Sequence, residues 1–587
     1  MVQGFVQIAI FCAVLLAVMP LLGNYMARVF RGERVFLSPV VGPFERLTYR
    51  VLRVNPQEGQ DWKRYGRSLI VFSGLFWLAL YLILRTQHAH PFNPQGFHSA
   101  PWDVTFNTVS SFVTNTNWQY YSGETTMTYF SQMAGLAVQN FVSAAVGIVV
   151  LIALIRAIAA RRGRGESGSL GNFWQDTVRA TYYVLLPISI VGAVLLLSQG
   201  VIQTFSHYVS FTGPAGGSGQ IALGPVASQE IIKELGTNGG GFFNVNSAMP
   251  FENPTGFSNF IELFAILVIP VALVWTYGKM VGSRRQGYAI LAAMGALFIA
   301  GVVVCYVAEQ HGTPAQHLAG VSTHHFAGST GGNMEGKEQR FGITNSALWT
   351  AVTTVTSCGA VNAAFESLTG IGGLVPFSNL SLSETVFGGV GTGLYSMLLF
   401  VLLAVFIGGL MVGRTPEYLG KKLEPREIKL VSIGAFFTPF VVLFSSSLAL
   451  ATKYGKPSIF ASGPQGFSET MYAYFSQANN NGSAFAGYTG FYQPNPGNLG
   501  SHGITFADLL GGLVMMSARY VPILAVLAVA GSLVRKKAAP AGLGTMRTDT
   551  PTFTVLIVGT VVLVGALTFF PALLLGPIVQ GMTTRLF

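Results

Sequence analysis

The chain has 587 residues, of which 51% are hydrophobic and only 10% charged, and its mean hydropathy is +0.51. Soluble globular domains carry roughly 25% charged residues, so this composition excludes a cytosolic enzyme. The formal charge of +11, from 34 Lys and Arg against 23 Asp and Glu, raises nucleic acid as a partner, a reading that holds only if the basic residues share one soluble face.

Taken in chain order, apolar runs long enough to cross about 30 Å of hydrocarbon fall near 4–28, 67–86, 128–158, 177–200, 258–281, 287–308, 386–412, 429–451, 506–533 and 553–576. They predict an all-α polytopic membrane protein with ten transmembrane helices. The opening run lacks the basic start of a signal peptide and is followed by Arg28, Arg31 and Arg34, which predicts a retained first helix. Basic residues then alternate by loop. Nine lie between Arg28 and Arg67 and none between Thr86 and Met127. The segments Arg156 to Arg179 (with Arg161, Arg162 and Arg164), Lys279 to Arg285, Arg414 to Lys429 and Arg535 to Arg547 bring one side to 26 of the 34. The other side holds Lys233, Lys337, Arg340, Lys453, Lys456 and Arg585, leaving Arg85 and Arg519 within spans. The positive-inside rule places the 26 in the cytoplasm and both termini outside it. The basic loops therefore face anionic lipid headgroups, and nucleic acid is not a partner.

Between the spans lie four small-residue clusters: TNTNWQ (Thr114 to Gln119), TNGGGFF (Thr237 to Phe243), TSCGAVN (Thr356 to Asn362) and NNNGSAF (Asn479 to Phe485). Aligned on Asn117, Gly239, Gly359 and Gly482, they recur at intervals of 122, 120 and 123 residues. A segment too short or too polar to span precedes each one, at 102–113, 226–236, 345–355 and 468–478. This predicts four pseudo-symmetric helix–pore loop–helix repeats around a central pore, at 67–158, 177–281, 287–412 and 429–533, with extra helices at 1–30 and 553–576. One such cluster alone reads as an ordinary turn, but four at a near-constant interval read as re-entrant loops. Irregular backbone is tolerated at membrane depth only where it lines a hydrated or ion-filled path, and its carbonyls can replace the hydration shell of a monovalent cation. None of the clusters contains Asp or Glu, which argues against a divalent-metal site.

Other features invite chemistry. Cys12 and Cys305 lie in apolar runs and Cys358 has no local base or second thiol, so no disulfide, metal pair or nucleophile is indicated. GGNMEGKE (Gly331 to Glu338) imitates a phosphate loop but has Glu where Ser or Thr should bind magnesium and follows no apolar strand. No DKTG-like phosphorylation sequence occurs, so any ATP hydrolysis belongs to a partner. A membrane enzyme would want intramembrane His, yet His88, His90, His98, His207, His311, His317, His324, His325 and His502 all fall in loops. At the seventh span, Gly388, Gly389, Gly391 and Gly393 predict a broken helix, since each Gly costs about 1 kcal/mol against Ala in a helix interior; close helix packing through small residues is the alternative. Arg519 is an intramembrane charge and hence a functional candidate, with a structural ion pair or snorkelling as the alternative. Asp508 and Glu384, near span ends, are expected at the interface.

The clusters, with GTNGGGFFNVNSAMPFENP (Gly236 to Pro254), TSCGAVNAAFESLTG (Thr356 to Gly370), GRTPEYLGKK (Gly413 to Lys422) and QANNNGSAFAG (Gln477 to Gly487), resemble the potassium-binding subunits of the bacterial Kdp pump, within the superfamily of potassium transporters. The resemblance runs end to end. It implies a filter for dehydrated K+ formed by Asn115, Thr116 and Asn117; Thr237, Asn238 and Gly239; Ser357, Cys358 and Gly359; and Asn480, Asn481 and Gly482. Asn117 replaces the glycine of the other loops, so the fourfold symmetry is approximate. Gln119 corresponds to a position affecting potassium affinity, or simply satisfies loop backbone. The glycine-rich seventh span is similar to a gating break below the filter in relatives, and Arg519 to a basic residue forming a positive barrier there. The resemblance also implies the bacterial cytoplasmic (inner) membrane, no organic cofactor, and partners resembling KdpB (a P-type ATPase subunit), KdpC and the small KdpF. Potassium would pass laterally to the ATPase subunit. A free-standing potassium channel or cation symporter of the same superfamily is the alternative.

Overall fold

The computed structural model of the chain describes residues 1–160, 168–324, 326, 331–490, 504–540, 542 and 545–584. Arg161, Arg162, Arg164, His325, His502 and Arg585, counted above, lie outside the described residues. Among the described residues, 10 helices are long and apolar enough to cross a membrane: Val2–Arg31, Trp62–Arg85, Ser131–Ala159, Phe173–Ser198, Gly256–Met280, Arg284–His311, Thr392–Met411, Pro425–Ala451, Thr505–Leu533 and Pro551–Met582. Their boundaries follow the predicted runs to within about five residues except that the seventh span starts at Thr392 rather than 386 and the tenth runs to Met582 rather than 576. Side-chain caps fix several starts: Asp61 accepts the Arg64 amide, Thr255 the Ser258 amide and Thr550 the Phe553 amide.

The spans sort into two layers. In the third, fifth, seventh and ninth, 83%, 78%, 72% and 61% of the most apolar window is buried, against 22% to 39% in the other six. Each repeat thus gives its second span to an inner ring and its first to an outer one. Outer helices leave Leu21, Leu75, Val191 and Leu567 exposed, a surface that only lipid accommodates at this extent. The extra helices are outer as well. The first lies along the fifth span, where Gly23 approaches Trp275 and its carbonyl accepts from Thr276 Oγ1 at 3.1 Å. The last packs on the sixth span, with Thr554 Oγ1 donating to Ala289 O, and on the fourth short helix through Phe569 and Phe475.

The basic loops gather on one face. Arg31 donates to Lys279 O, Arg156 pairs with Asp176 at 2.6 Å and also reaches Phe30 O, and Arg179 pairs with Glu45. A two-residue hairpin, Glu417–Tyr418 against Lys421–Lys422, brings the buried Lys421 ammonium onto Ala157 O and Leu533 O. On the opposite face, Tyr306 OH donates to Met1 O and Gly581 packs against Gly370 and Ile371, so the two chain ends share that side. A helix at Ser38–Val51 joins the first two spans on the basic face and exposes Val40, Phe44, Leu47 and Val51. It lies in a segment read from sequence as a loop, because its apolar positions are too few to stand out among its charges.

Candidate ion-binding site

Four short helices enter the inner ring: Trp102–Val113, Val226–Leu235, Gly342–Val355 and Gly463–Ala478. They match the predicted short segments, the last two starting three and five residues earlier. All are largely buried although polar: the first, third and fourth carry Ser and Thr, and the second carries Gln, Glu and Lys. Their hydroxyls turn back on the helix: Thr108, Thr114, Thr350, Thr354, Thr356 and Thr470 each donate to the carbonyl four residues before, which satisfies them without solvent.

Every one of these helices ends in the same way. The caps are Thr114, Gly236, Thr356 and Asn479, and the next residues, Asn115, Thr237, Ser357 and Asn480, have φ of 73°, 48°, 50° and 50°. The following amides of Thr116, Asn238, Cys358 and Asn481 then donate to the carbonyls of Ser111, Lys233, Thr353 and Ser476 at 2.8–3.0 Å. This is a Schellman ending, repeated four times. Its left-handed position is normally glycine; here it carries Asn, Thr, Ser and Asn, and a β-branched Thr in that region is a strained residue. The endings aim the negative ends of four helix dipoles toward the loops.

The loops close into a ring, each touching the next. The first meets the second where Asn115 Nδ2 donates to Thr237 O at 3.0 Å and Asn117 Nδ2 to Gly239 O at 3.1 Å. A Cβ on Gly239 would overlap the Gly359 amide of the third loop. Asn481 Nδ2 of the fourth donates to Cys358 O at 3.0 Å, and Asn480 Nδ2 closes the circuit on Thr116 Oγ1 at 2.9 Å. All twelve predicted filter residues are therefore brought together. Asn117, Gly240, Gly359 and Gly482 floor one open cavity of about 740 Å³ on the face holding the chain ends. Gln119 lines that cavity but is occupied by backbone: its Oε1 accepts the Gly241 amide at 3.0 Å and its Nε2 donates to Gly241 O at 3.1 Å. The loops present neutral oxygens only, a donor set suited to a dehydrated monovalent cation.

On the other side of the ring, Gly388, Gly389 and Gly391 are non-helical, whereas Gly393, predicted within the break, lies in the first turn of the seventh-span helix. A helix at Gly370–Ser381 stops, Phe387, Gly388 and Gly391 take positive φ, and Gly391 caps the helix that starts at Thr392. Gly388 N donates to Val355 O at 2.8 Å and Val390 N to Thr237 Oγ1 at 2.9 Å, so this break is bonded to the second loop and to the end of the third short helix. Gly391 has no room for a side chain against Gly147 O. Arg519 is buried and lines a small cavity there with Glu384, Tyr395, Asn479 and Asn480. Glu384 is thus drawn inward beside Arg519, and Asp508 is fully buried next to the first short helix, where its carbonyl accepts from Asn107. Asp508, in the first turn of the ninth span, is thus enclosed by protein, whereas Glu384 is half-buried. Lys337 of the phosphate-loop imitation is consumed by a buried pair with Glu309 at 2.7 Å.

One group escaped the sequence reading. Lys233, counted there among the external charges, is buried on the second short helix with Glu230, Glu234, Glu252 and Glu262 around it. The sequence signal was the EIIKEL spacing on a segment already read as a short helix leading into a re-entrant loop. Burial raises the Glu252 carboxyl above the usual range while Lys233 draws it back down.

The family model of the potassium-transporting ATPase A subunit, KdpA, matches residues 9–582. The chain is 52% identical over 589 residues to the potassium-transporting ATPase potassium-binding subunit of Sorangium cellulosum (strain So ce56), covering 99% of each chain. It is 49% identical over 598 residues to the protein of the same description from Koribacter versatilis (strain Ellin345), covering 99% of this chain and 98% of that one. The crystal structure of the potassium transporter TrkH from Vibrio parahaemolyticus is similar at a TM-score of 0.46 and 13% identity, over 76% of this chain and 84% of that one. With a match from residue 9 to residue 582 and relatives near half identity along their whole length, the chain belongs to the KdpA family of potassium-transporting ATPase A subunits.

Proposed function

We propose that this chain binds extracellular K+ in the ring formed by its four loops and passes it to a partner P-type ATPase subunit, as part of an ATP-driven uptake complex in the bacterial cytoplasmic membrane. Both termini then lie outside the cytoplasm, since the chain ends share the face of the open cavity and the basic loops share the other. The observation that carries the reading is the closed, carboxylate-free ring: four identical helix endings deliver neutral oxygens to one place, accessible from one side. The partner supplies ATP hydrolysis; KdpB-like, KdpC-like and KdpF-like subunits fill that role and its accessories. Below the ring, the break at Gly388 to Gly391 forms a constriction that favours a lateral route over a straight pore.

The complex purified with its ATPase subunit tests this. Gly239→Ser places a side chain into the Gly359 backbone, so the K+ concentration that half-stimulates ATP hydrolysis rises at least about tenfold, roughly 1.4 kcal/mol of binding, and Rb+ and ammonium become better substitutes. Wild-type K+ dependence in this variant removes the filter. Passive K+ flux through the isolated chain in vesicles would favour the channel reading instead.

A further inference from the structure

Six residues before the ring position, the four short helices carry Ser111, Lys233, Thr353 and Ser476. In two repeats this side chain props its own loop: Thr353 Oγ1 donates to Cys358 O, and Ser476 Oγ accepts the Gly482 amide at 2.9 Å. In the second repeat the prop is a buried ammonium. Lys233 Nζ donates to Gly240 O at 2.8 Å, one residue past Gly239. It is held by Glu230 Oε2 at 2.8 Å, Glu234 Oε1 at 3.7 Å and Glu252 Oε2 at 3.8 Å.

The carboxylates extend this contact outward. Glu252 accepts the Phe243 amide at 3.0 Å, further along the second loop. Glu234 Oε2 lies 3.5 Å from Cys358 Sγ, which donates to it from the third loop. Ser247 Oγ donates to Glu230 at 2.7 Å and ties in the segment after the loop. Oxygens of Glu230, Glu234 and Glu262 fall within 4.8 Å of one another, a spacing that would suit a metal ion, but the Lys233 ammonium already stands against two of the three. It is the resident cation of the cluster.

Resting on the proposed K+ filter, we infer that Lys233 is a positioning residue that fixes the Gly240 carbonyl and, through Glu234, the Cys358 side of the third loop, and so sets discrimination among monovalent cations. A buried charge that donates to a carbonyl makes a stronger and less forgiving bond than the hydroxyls of the other repeats. Two successive left-handed glycines, Gly239 at φ 69° and Gly240 at φ 71°, leave the second loop soft without such an anchor.

The test compares K+ and Rb+ stimulation of ATP hydrolysis by the whole purified complex. Lys233→Met is expected to narrow the ratio of the two half-stimulating concentrations by about tenfold, the size of one lost charge-assisted hydrogen bond, and Lys233→Arg to restore most of it. Glu234→Gln keeps Lys233 and its other partners and is expected to shift the ratio about threefold in the same direction. It decides the matter if Lys233→Met fails to assemble. An assembled Lys233→Met or Glu234→Gln complex with the wild-type ratio overturns the inference, whatever its yield. Gly239→Ser in the same assay separates the two claims: a changed ratio there with an unchanged one in the lysine and glutamate variants removes only the role of Lys233, whereas no change in any variant removes the filter itself.

Discussion

Gly359 stands where the third and fourth loops touch. A Cβ there would lie 2.6 Å from Asn481 O and 2.9 Å from Gly482 Cα, both backbone atoms that cannot rotate aside. Unlike Gly239 and Gly482, Gly359 does not have positive φ, so its requirement is space rather than conformation. Even the smallest addition, Gly359→Ala, is therefore expected to spread two of the four loops and raise the half-stimulating K+ concentration by about tenfold or more. Potassium-dependent ATP hydrolysis by the assembled complex checks this, and an unaltered curve would show that the third loop has slack the packing denies. The need for small residues at this point was readable from the sequence, since the interval of about 120 residues aligned Gly359 with Gly239 and Gly482. The left-handed residue two places earlier was not. Asn115, Thr237, Ser357 and Asn480 give no shared signal, because the usual glycine of a Schellman ending is missing from all four.

Thr237 joins two elements as well as closing a helix. Its Oγ1 accepts the Val390 amide at 2.9 Å, which is the bond between the second loop and the break in the seventh span. Removing it with Thr237→Ala leaves a buried amide unpaired, a cost of about 1–3 kcal/mol, whereas Thr237→Ser keeps the acceptor. Thermal unfolding of the purified complex should separate them, with the alanine variant melting several degrees lower and the serine variant near wild type. Equal melting of the two would mean that the break is held by Val355 O and packing alone. The glycine run announced this break, but the helix before it, Gly370–Ser381, was hidden: three of its first four residues are glycines and Pro376 interrupts it. Thr369 starts it by accepting the Gly372 amide, and Glu309 anchors Thr369 in turn. That support comes from the sixth span, far away in sequence. Lys233 was missed for a related reason, since a lone lysine in a segment predicted to be external is indistinguishable by composition from a solvated one.

In the whole molecule the ring of loops, the break in the seventh span and Arg519 meet on the side of the ring away from the open cavity. Arg519 lies on the ninth span, one of the inner four, and shares its small cavity with Glu384 from the broken segment and Asn480 from the fourth loop. A guanidinium at this place would oppose a cation moving straight down, and its cavity neighbours come from both the fourth loop and the broken segment. Its effect should therefore fall on where the ion goes after binding rather than on whether it binds. Arg519→Gln is expected to leave the half-stimulating K+ concentration within about twofold of wild type, because the hydrogen bonds that join the four loops do not involve Arg519. The same change removes a buried positive charge from that cavity, so ATP consumed per Rb+ accumulated in reconstituted vesicles should rise about fivefold or more as ions leak or stall. Measuring both quantities on one preparation makes the assignment decidable. A large loss of apparent affinity with unchanged ATP cost per ion would place Arg519 in the binding step, and the barrier below the ring would then have to come from the broken seventh span alone.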